Sequence, residues 1–304
     1  NLTSVVIPQG VISIGSQAFV NCENLTSVSI PDSVTSIGSA FTGCSSLTSI
    51  TIPEGVTSIA AHTFRDCTSL ATVTIPESVT SIGFNAFQNC SSLVEITIPE
   101  GVETIANYTF SGCSSLTSIT IPEGVTSIGQ YAFSQCSNLT RVELPTSLTK
   151  IDSYAFRNCT SLTEITIFEN VTSIGNCAFQ GCTQLASATI LNPNVNIQFY
   201  AFDSCPNLTI YGFSGSTAQT YATNNSIPFV ALDATVAVTG VSITEGDQTL
   251  EVGQTFQLTA VVEPEDATNK NVTWSSSDDT VATVSETGLV TAVAEGTATI
   301  TVTT

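Results

Sequence analysis

Apolar and polar positions recur along the first two thirds of this chain with a single period. Phe19, Phe41, Phe64, Phe87, Phe110, Phe133, Phe156, Phe179 and Phe202 are spaced by 22 residues once and by 23 thereafter, and Cys22, Cys44, Cys67, Cys90, Cys113, Cys136, Cys159, Cys182 and Cys205 each follow by three. A fixed period of this length marks one small unit, copied about nine times and stacked. Residues 46–68 serve as the type unit. Leu47, Ile50 and Ile52 are the inward positions of a short strand; Pro53 ends it because proline cannot donate to a ladder; Glu54 and Gly55 turn the chain. Val56 and Ile59 form a second extended piece, and the stretch from Ala60 to Cys67 reads as short helical turns with Phe64 and Cys67 on one face. No unit can hide its apolar side alone, so neighbouring copies must share an interior built of parallel columns. The strand columns are expected to form a parallel sheet along one side of the solenoid.

The ninth repeat departs from the pattern: Asn192-Pro193-Asn194 replaces the usual turn and Gln198-Phe199 interrupts the Ile-Gly pair. After it, Ser216 to Ala222 reads as a short helix with a serine or threonine start cap, and Ile227 to Leu232 as a closing strand. The solenoid is therefore placed at 1–232, with its C-terminal cap at about 207–232, and a linker at 233–238. Over 239–304 the period gives way to alternating apolar positions such as Val241, Ile243, Phe256, Leu258, Val272, Trp274, Ile300 and Val302, with turns at Glu245-Gly246-Asp247, Pro264-Glu265-Asp266 and Glu286-Thr287-Gly288. That pattern predicts an all-β sandwich with Trp274 as its core anchor. The chain opens in mid-pattern without a methionine, which reads as a fragment or processed form of a longer protein.

The signature Leu-x-x-Ile-x-Ile-Pro-Glu-x-Val-Thr-x-Ile-Gly-x-x-Ala-Phe-x-x-Cys resembles the BspA-type (Treponema pallidum-type) leucine-rich repeat over residue 1 to about residue 210. The segments Asn271-Val-Thr-Trp-Ser-Ser-Ser-Asp, Thr287-Gly-Leu-Val-Thr-Ala and Gly296-Thr-Ala-Thr-Ile-Thr-Val resemble the group 2 bacterial immunoglobulin-like domain over about 238–304. Together the resemblances imply a leucine-rich-repeat solenoid followed by an Ig-like sandwich. They also imply an extracellular or bacterial cell-surface location, with the second module acting as a spacer or adhesive element.

Charge narrows the partners. Twenty-five acidic side chains face five basic ones, Arg65, Arg141, Lys150, Arg157 and Lys270, for a net charge of -20. Such a chain has almost nothing with which to neutralise phosphate, which disfavours nucleic acid and anionic lipid. No apolar run reaches the roughly 20 residues of a membrane span, so this segment is not expected to insert. The cysteines of the column point the same way from stacked strands, a geometry that suits bridging poorly, and they read as buried thiols; Cys177 lies outside the column.

Catalytic chemistry is hard to assemble. The single histidine, His62, sits in a variable slot, the cysteines make no CxxC pair, and no glycine-rich phosphate loop occurs. The chain is therefore expected to be non-enzymatic and without a cofactor. Three surface columns remain. Asp32, Glu54, Glu77, Glu100 and Glu123 form an acidic one that a divalent cation or a basic partner would relieve, although exposed turn carboxylates are also well served by water and salt. Tyr108, Tyr131, Tyr154 and Tyr200 form an aromatic one, interrupted by Cys177, with Phe84 and Phe199 one place earlier; packing between neighbouring turns is the favoured reading, and stacking on sugars or anchoring a protein the alternative. On the hydroxyl-rich strand face, Glu95, Arg141, Glu143 and Glu164 break the consensus; Arg141 with Glu143 or Glu164 also reads as a cross-strand ion pair. The sequence thus points to a secreted or cell-surface binding protein, an adhesin whose solenoid face recognises protein or glycan, on host extracellular matrix or another cell surface. The alternatives are a structural spacer or display stalk for absent flanking domains and a carbohydrate-binding module.

Overall fold

Seven of the repeats turn on the same bond. The amides of Val11, Val34, Val56, Val79, Val102, Val125 and Leu148 each donate to the carbonyl of the proline three residues earlier, at 3.0–3.3 Å. In the eighth, Phe168 stands in the proline's place and Val171 closes the same turn at 3.1 Å. The computed structural model describes residues 1–233 and 235–304, and the chain divides into two units, Asn1–Leu232 and Asp233–Thr304.

The first unit is a parallel-strand solenoid, as the period requires, but its strands make two ladders rather than one sheet. The second extended piece of each repeat gives the more continuous ladder. Ser13–Ile14, Ser36–Ile37, Ser58–Ile59 and Ser81–Ile82 pair in order, and so do Thr104–Ile105, Ser127–Ile128, Lys150–Ile151, Ser173–Ile174 and Asn196–Ile197. The first piece is more broken: Ser4–Val6 pairs with Ser27–Ser29, Ser49–Thr51 with Thr72–Thr74, and Ser118–Thr120 with Arg141–Glu143. A four-stranded run of Glu164–Ile167, Ser187–Ile190, Thr209–Gly212 and Phe229–Ala231 follows. Residues 94–98 of the fifth repeat form no strand, although Ile96 and Ile98 remain buried.

The expected helical turns take the form of consecutive hydrogen-bonded turns, which tie each repeat to the next. In the type unit, the amides of His62, Phe64 and Asp66 donate forward to the carbonyls of Phe84, Ala86 and Gln88 at 3.1, 2.9 and 2.8 Å. The amides between them close on the same repeat, Arg65 to His62 and Cys67 to Phe64. His62 and Asp66 have φ of 59° and 60°, a left-handed backbone that an α-helix excludes. Among the described residues the one α-helix is Thr217–Asn224, at the C-terminal end of the array, with Ser216 as N-cap accepting from the Gln219 amide at 3.2 Å.

The interior is a row of side chains repeated once per turn. The nine phenylalanines stack face to face with centroids 5.1–5.7 Å apart, and those from Phe41 to Phe179 are fully buried. Beside them lie columns of leucine, isoleucine, valine and cysteine. Glycine after the second strand is a matter of close approach: a Cβ at Gly83 or Gly175 would run into the backbone of Ala61 or Ser153 in the preceding repeat. The abundance of threonine and serine has a structural reason as well. Thr26, Thr48, Thr140 and Thr163 donate their hydroxyls to the carbonyl of the equivalent residue one repeat earlier, and Thr80, Thr126, Thr149 and Thr172 do the same along a second line.

The second unit is antiparallel throughout. Gly240–Ile243 pairs with Ala260–Glu263, Leu289–Ala292 lies between Thr255–Gln257 and Ala282–Val284, and Thr273–Ser276 pairs with Ile300–Thr303. Trp274 is half-buried opposite Val302. Gly288, at φ +82°, backs onto its indole so closely that a Cβ would lie 2.9 Å from Trp274 Cζ2. Of the expected linker at 233–238, Ala234 lies outside the described residues, and Val236 already exchanges hydrogen bonds with Thr268, at 2.7 and 3.0 Å.

Candidate functional site

Two residues before eight of the nine stacked phenylalanines, all but Phe41, the backbone takes a left-handed φ: 65° at Gln17, 59° at His62, Asn85 and Tyr108, 55° at Tyr131, 62° at Tyr154, 53° at Cys177 and 58° at Tyr200. This conformation throws the side chain outward onto the flank that carries the turns. It costs a bulky residue roughly 1–2 kcal/mol. Side-chain contacts offset that cost along part of the column. Tyr108 and Tyr131 stack with centroids 4.7 Å apart, and Tyr131 and Tyr154 at 4.5 Å, the planes within 9°. The Arg157 guanidinium carbon lies 5.8 Å from the centre of the Tyr154 ring, in reach of a cation–π contact. All three tyrosines are half-buried. Burial, reinforced by neighbouring Tyr154, holds the Tyr131 hydroxyl above the ordinary tyrosine pKa. The stacked faces of these rings are therefore occupied by one another.

The stack does not reach the end of the array. Cys177, 8% exposed, interrupts it, and beyond it Tyr200 is 63% and Phe199 81% exposed. These two rings border a concavity of about 680 Å3 between the last repeats and the terminal helix. Asn176, Asn196, Gln198, Asn224 and Asn225 also line it, and among the described residues no charged one does. Its wall is fixed by Tyr221, whose ring meets Phe202 edge-on at 6.0 Å and whose hydroxyl accepts from the Phe202 amide at 3.2 Å. The sequence places Tyr200 and, one place earlier, Phe199 with the aromatic column, and reads Gln198-Phe199 also as an interruption of the repeat; it does not announce the concavity beside them. The signal was there: a large apolar residue and an amide replace the consensus where the framework asks for neither.

On the strand face, Arg141 Nη2 pairs with Glu143 Oε1 at 2.7 Å, two residues along the same strand rather than across to Glu164, and Glu143 Oε2 accepts from Thr120 Oγ1 at 3.0 Å. The side chains of Arg141 and Glu143 are 68% and 48% exposed, so water screens the pair. Glu95 and Glu164 are exposed on the same face, Glu95 in the segment without a strand. In the acidic column, carboxylates reach the next turn: Glu77 accepts from the Glu100 amide at 3.4 Å, and Glu123 from both the amide and hydroxyl of Thr146 at 3.1 Å. Those donors hold the Glu123 carboxyl below the ordinary glutamate pKa. Among the described residues no group of three or more His, Cys, Asp or Glu has the geometry to hold a metal ion. His62 rests edge-on against Phe84 at 4.8 Å. All ten cysteines are free thiols. No helix is long and apolar enough to cross a membrane among the described residues.

Comparison with known proteins agrees with this architecture. The model of the BspA type leucine rich repeat region matches residues 1–113 and 80–209, and that of the bacterial Ig-like domain (group 2) matches residues 237–304. A leucine-rich repeat protein from Bacteroides ovatus is similar over 75% of this chain and 60% of its own, with 36% identity and a TM-score of 0.68. The leucine-rich repeat protein of Treponema pallidum matches 53% of this chain and 78% of its own, with 34% identity and a TM-score of 0.50. Among curated proteins, an alpha-L-arabinofuranosidase of Bifidobacterium longum is 48% identical over 75 residues, and a lacto-N-biosidase of Bifidobacterium bifidum 54% over 69. The chain spans only 7% and 6% of the length of these two relatives. With the repeat model covering more than half of its length, the chain belongs to the BspA-type leucine-rich repeat family and carries a group 2 bacterial Ig-like domain at its C-terminal end.

Proposed function

We propose that this chain is a non-enzymatic, secreted or cell-surface binding protein that recognises protein or glycan through the flanks of its solenoid. One observation carries the reading. Many of the recurring side chains with chemical capacity are engaged in joining one repeat to the next: thiols on carbonyls, hydroxyls on carbonyls, tyrosine rings on tyrosine rings. What remains for recognition are the residues that leave the consensus, and these lie on the surface. Both domain families are typical of binding and surface proteins rather than catalysts, and an Ig-like module beside a solenoid suits display outside the cell. A uniform array also suits a spacer that holds other domains away from an envelope.

Probing an array of extracellular-matrix proteins and oligosaccharides with the whole labelled chain separates the two. Saturable binding to at least one member is the expected result. Binding no higher than background across the array would leave the spacer standing and the adhesin without support.

A further inference from the structure

We propose that the concavity edged by Phe199 and Tyr200 is a subsite for a neutral oligosaccharide. The inference rests on the binding-protein reading above and narrows it to one ligand class at one place. Three features on this flank coincide. First, the two rings are the most exposed of an aromatic flank on which Tyr108, Tyr131 and Tyr154 stack on one another. A free ring face of this kind offers an apolar platform to the C–H side of a pyranose or furanose. Second, the side chains of Asn176, Asn196, Gln198 and Asn224 line the same concavity, and none of the four makes a hydrogen bond to another protein group among the described residues. Each amide offers two donors and an acceptor, which matches the paired donor and acceptor character of sugar hydroxyls. Third, among the described residues no Asp, Glu, Lys or Arg lines the site, in a chain whose net charge is -20. An acidic glycan or a cationic peptide would meet no counter-charge there, whereas an uncharged saccharide needs none.

The volume, about 680 Å3, falls inside the roughly 300–1,000 Å3 of small-molecule clefts, enough for two or three sugar rings lying across the platform. The site is also pre-shaped. Tyr200 is held out by its φ of 58°, and the Phe199 carbonyl accepts from the Cys177 amide at 3.1 Å, which pins the backbone beneath both rings. Little ordering is left for a ligand to impose.

The test uses the whole chain and a printed array carrying neutral oligosaccharides, acidic oligosaccharides and extracellular-matrix proteins, followed by titration of any neutral hit. Phe199→Ala and Tyr200→Asn are the variants; asparagine tolerates the left-handed backbone, and both rings are exposed enough that the fold survives their removal. Binding to neutral oligosaccharides is expected, weakened at least about tenfold by each variant, with perturbation of the side-chain amide signals of Asn196 and Gln198 in a 1H–15N spectrum. Neutral-glycan binding indifferent to both variants would overturn the subsite. Binding confined to matrix proteins or acidic glycans would overturn it too, while leaving the broader binding function intact; a silent array would remove both.

Discussion

The thiol of Cys113 donates to the carbonyl of Phe87, one repeat upstream, across 3.2 Å. The same bond recurs from Cys44 onto Phe19 and on to Cys205 onto Phe179, at 3.1–3.2 Å throughout. Each of those carbonyls also accepts the amide three residues ahead of it, as Phe87 does from Cys90. The thiol is thus a second donor for an acceptor with two lone pairs, delivered by a side chain small and apolar enough for the core.

That bond sets an order among substitutions at Cys113, which is 0% exposed. Cys113→Ala leaves a small void and an acceptor one donor short, and is expected to lower unfolding stability by about 1–2 kcal/mol. Cys113→Ser keeps the donor but buries a more polar group, so it should fall between the parent and the alanine variant. Urea denaturation of the three proteins measures this. A serine variant less stable than the alanine variant would mean that the carbonyl draws nothing from the second donor.

Burial also sets the alkaline limit of the fold. It pushes the thiols of Cys44 and Cys205 up from about 9 to about 11, that of Cys136 to about 12, and that of Cys113 well above the ordinary value. The folded chain therefore holds these protons more tightly than the unfolded chain. Their contribution to stability is complete below about pH 9 and is lost as pH rises through the folded values. The urea midpoint should be flat on this account from neutral pH to about 9 and fall steeply above it. In step, a thiol reagent at pH 7.5 should leave the buried column unreacted in the native chain and reach all ten cysteines once it is unfolded. Rapid native labelling of Cys113 would contradict both.

Phe110 stacks on Phe87 at 5.6 Å and on Phe133 at 5.3 Å, and is fully buried. Replacing it with alanine should cost about 3–5 kcal/mol. Because every repeat touches only its neighbours, the loss falls on two interfaces in the middle of the array. The prediction is a change of cooperativity: two separable unfolding transitions of the solenoid in Phe110→Ala where the parent shows one. A single transition, merely shifted, would argue against nearest-neighbour stacking as the source of stability.

How much of this was legible beforehand follows from where each interaction lies along the chain. The 23-residue spacing of Phe and Cys foretold the stacked interior, because burial inside a solenoid demands the same residue at every turn. Pro53 and Gly55 marked the turn for reasons local to the backbone. The hydrogen-bonded turns from Ala60 to Cys67 were harder to tell from helix, since Phe64 and Cys67 have helical spacing. What distinguishes them is the left-handed φ at His62 and Asp66, which neither histidine nor a lone repeat announces. Asn21, Asn89 and Gly112 occupy the column of Asp66 in other repeats, all residues that accept positive φ, and that column carried the hint. Phe199 and Tyr200 were legible as aromatic surface residues, but the concavity they border was not, because Gln198 and Phe199 also look like erosion of a consensus. Only their exposure beside unpaired amides gives them another meaning.

Tyr131 offers the sharpest test of the flank. Its ring is sandwiched between Tyr108 and Tyr154, and its backbone stands at φ 55°. Two aromatic contacts worth about 0.5–1.5 kcal/mol each favour tyrosine there. The backbone works against it, since any residue with a Cβ pays roughly 1–2 kcal/mol for the left-handed region and glycine pays almost nothing. Tyr131→Ala forfeits the contacts and keeps the strain; Tyr131→Gly forfeits the contacts and sheds it. Glycine should therefore be the better tolerated of the two by about 1 kcal/mol in thermal or urea unfolding, the reverse of the order found in an ordinary helical turn. Glycan or protein binding at the far end should be unchanged in both variants, because the faces of this ring are already covered. An alanine variant at least as stable as the glycine variant would show that the column does not carry backbone strain.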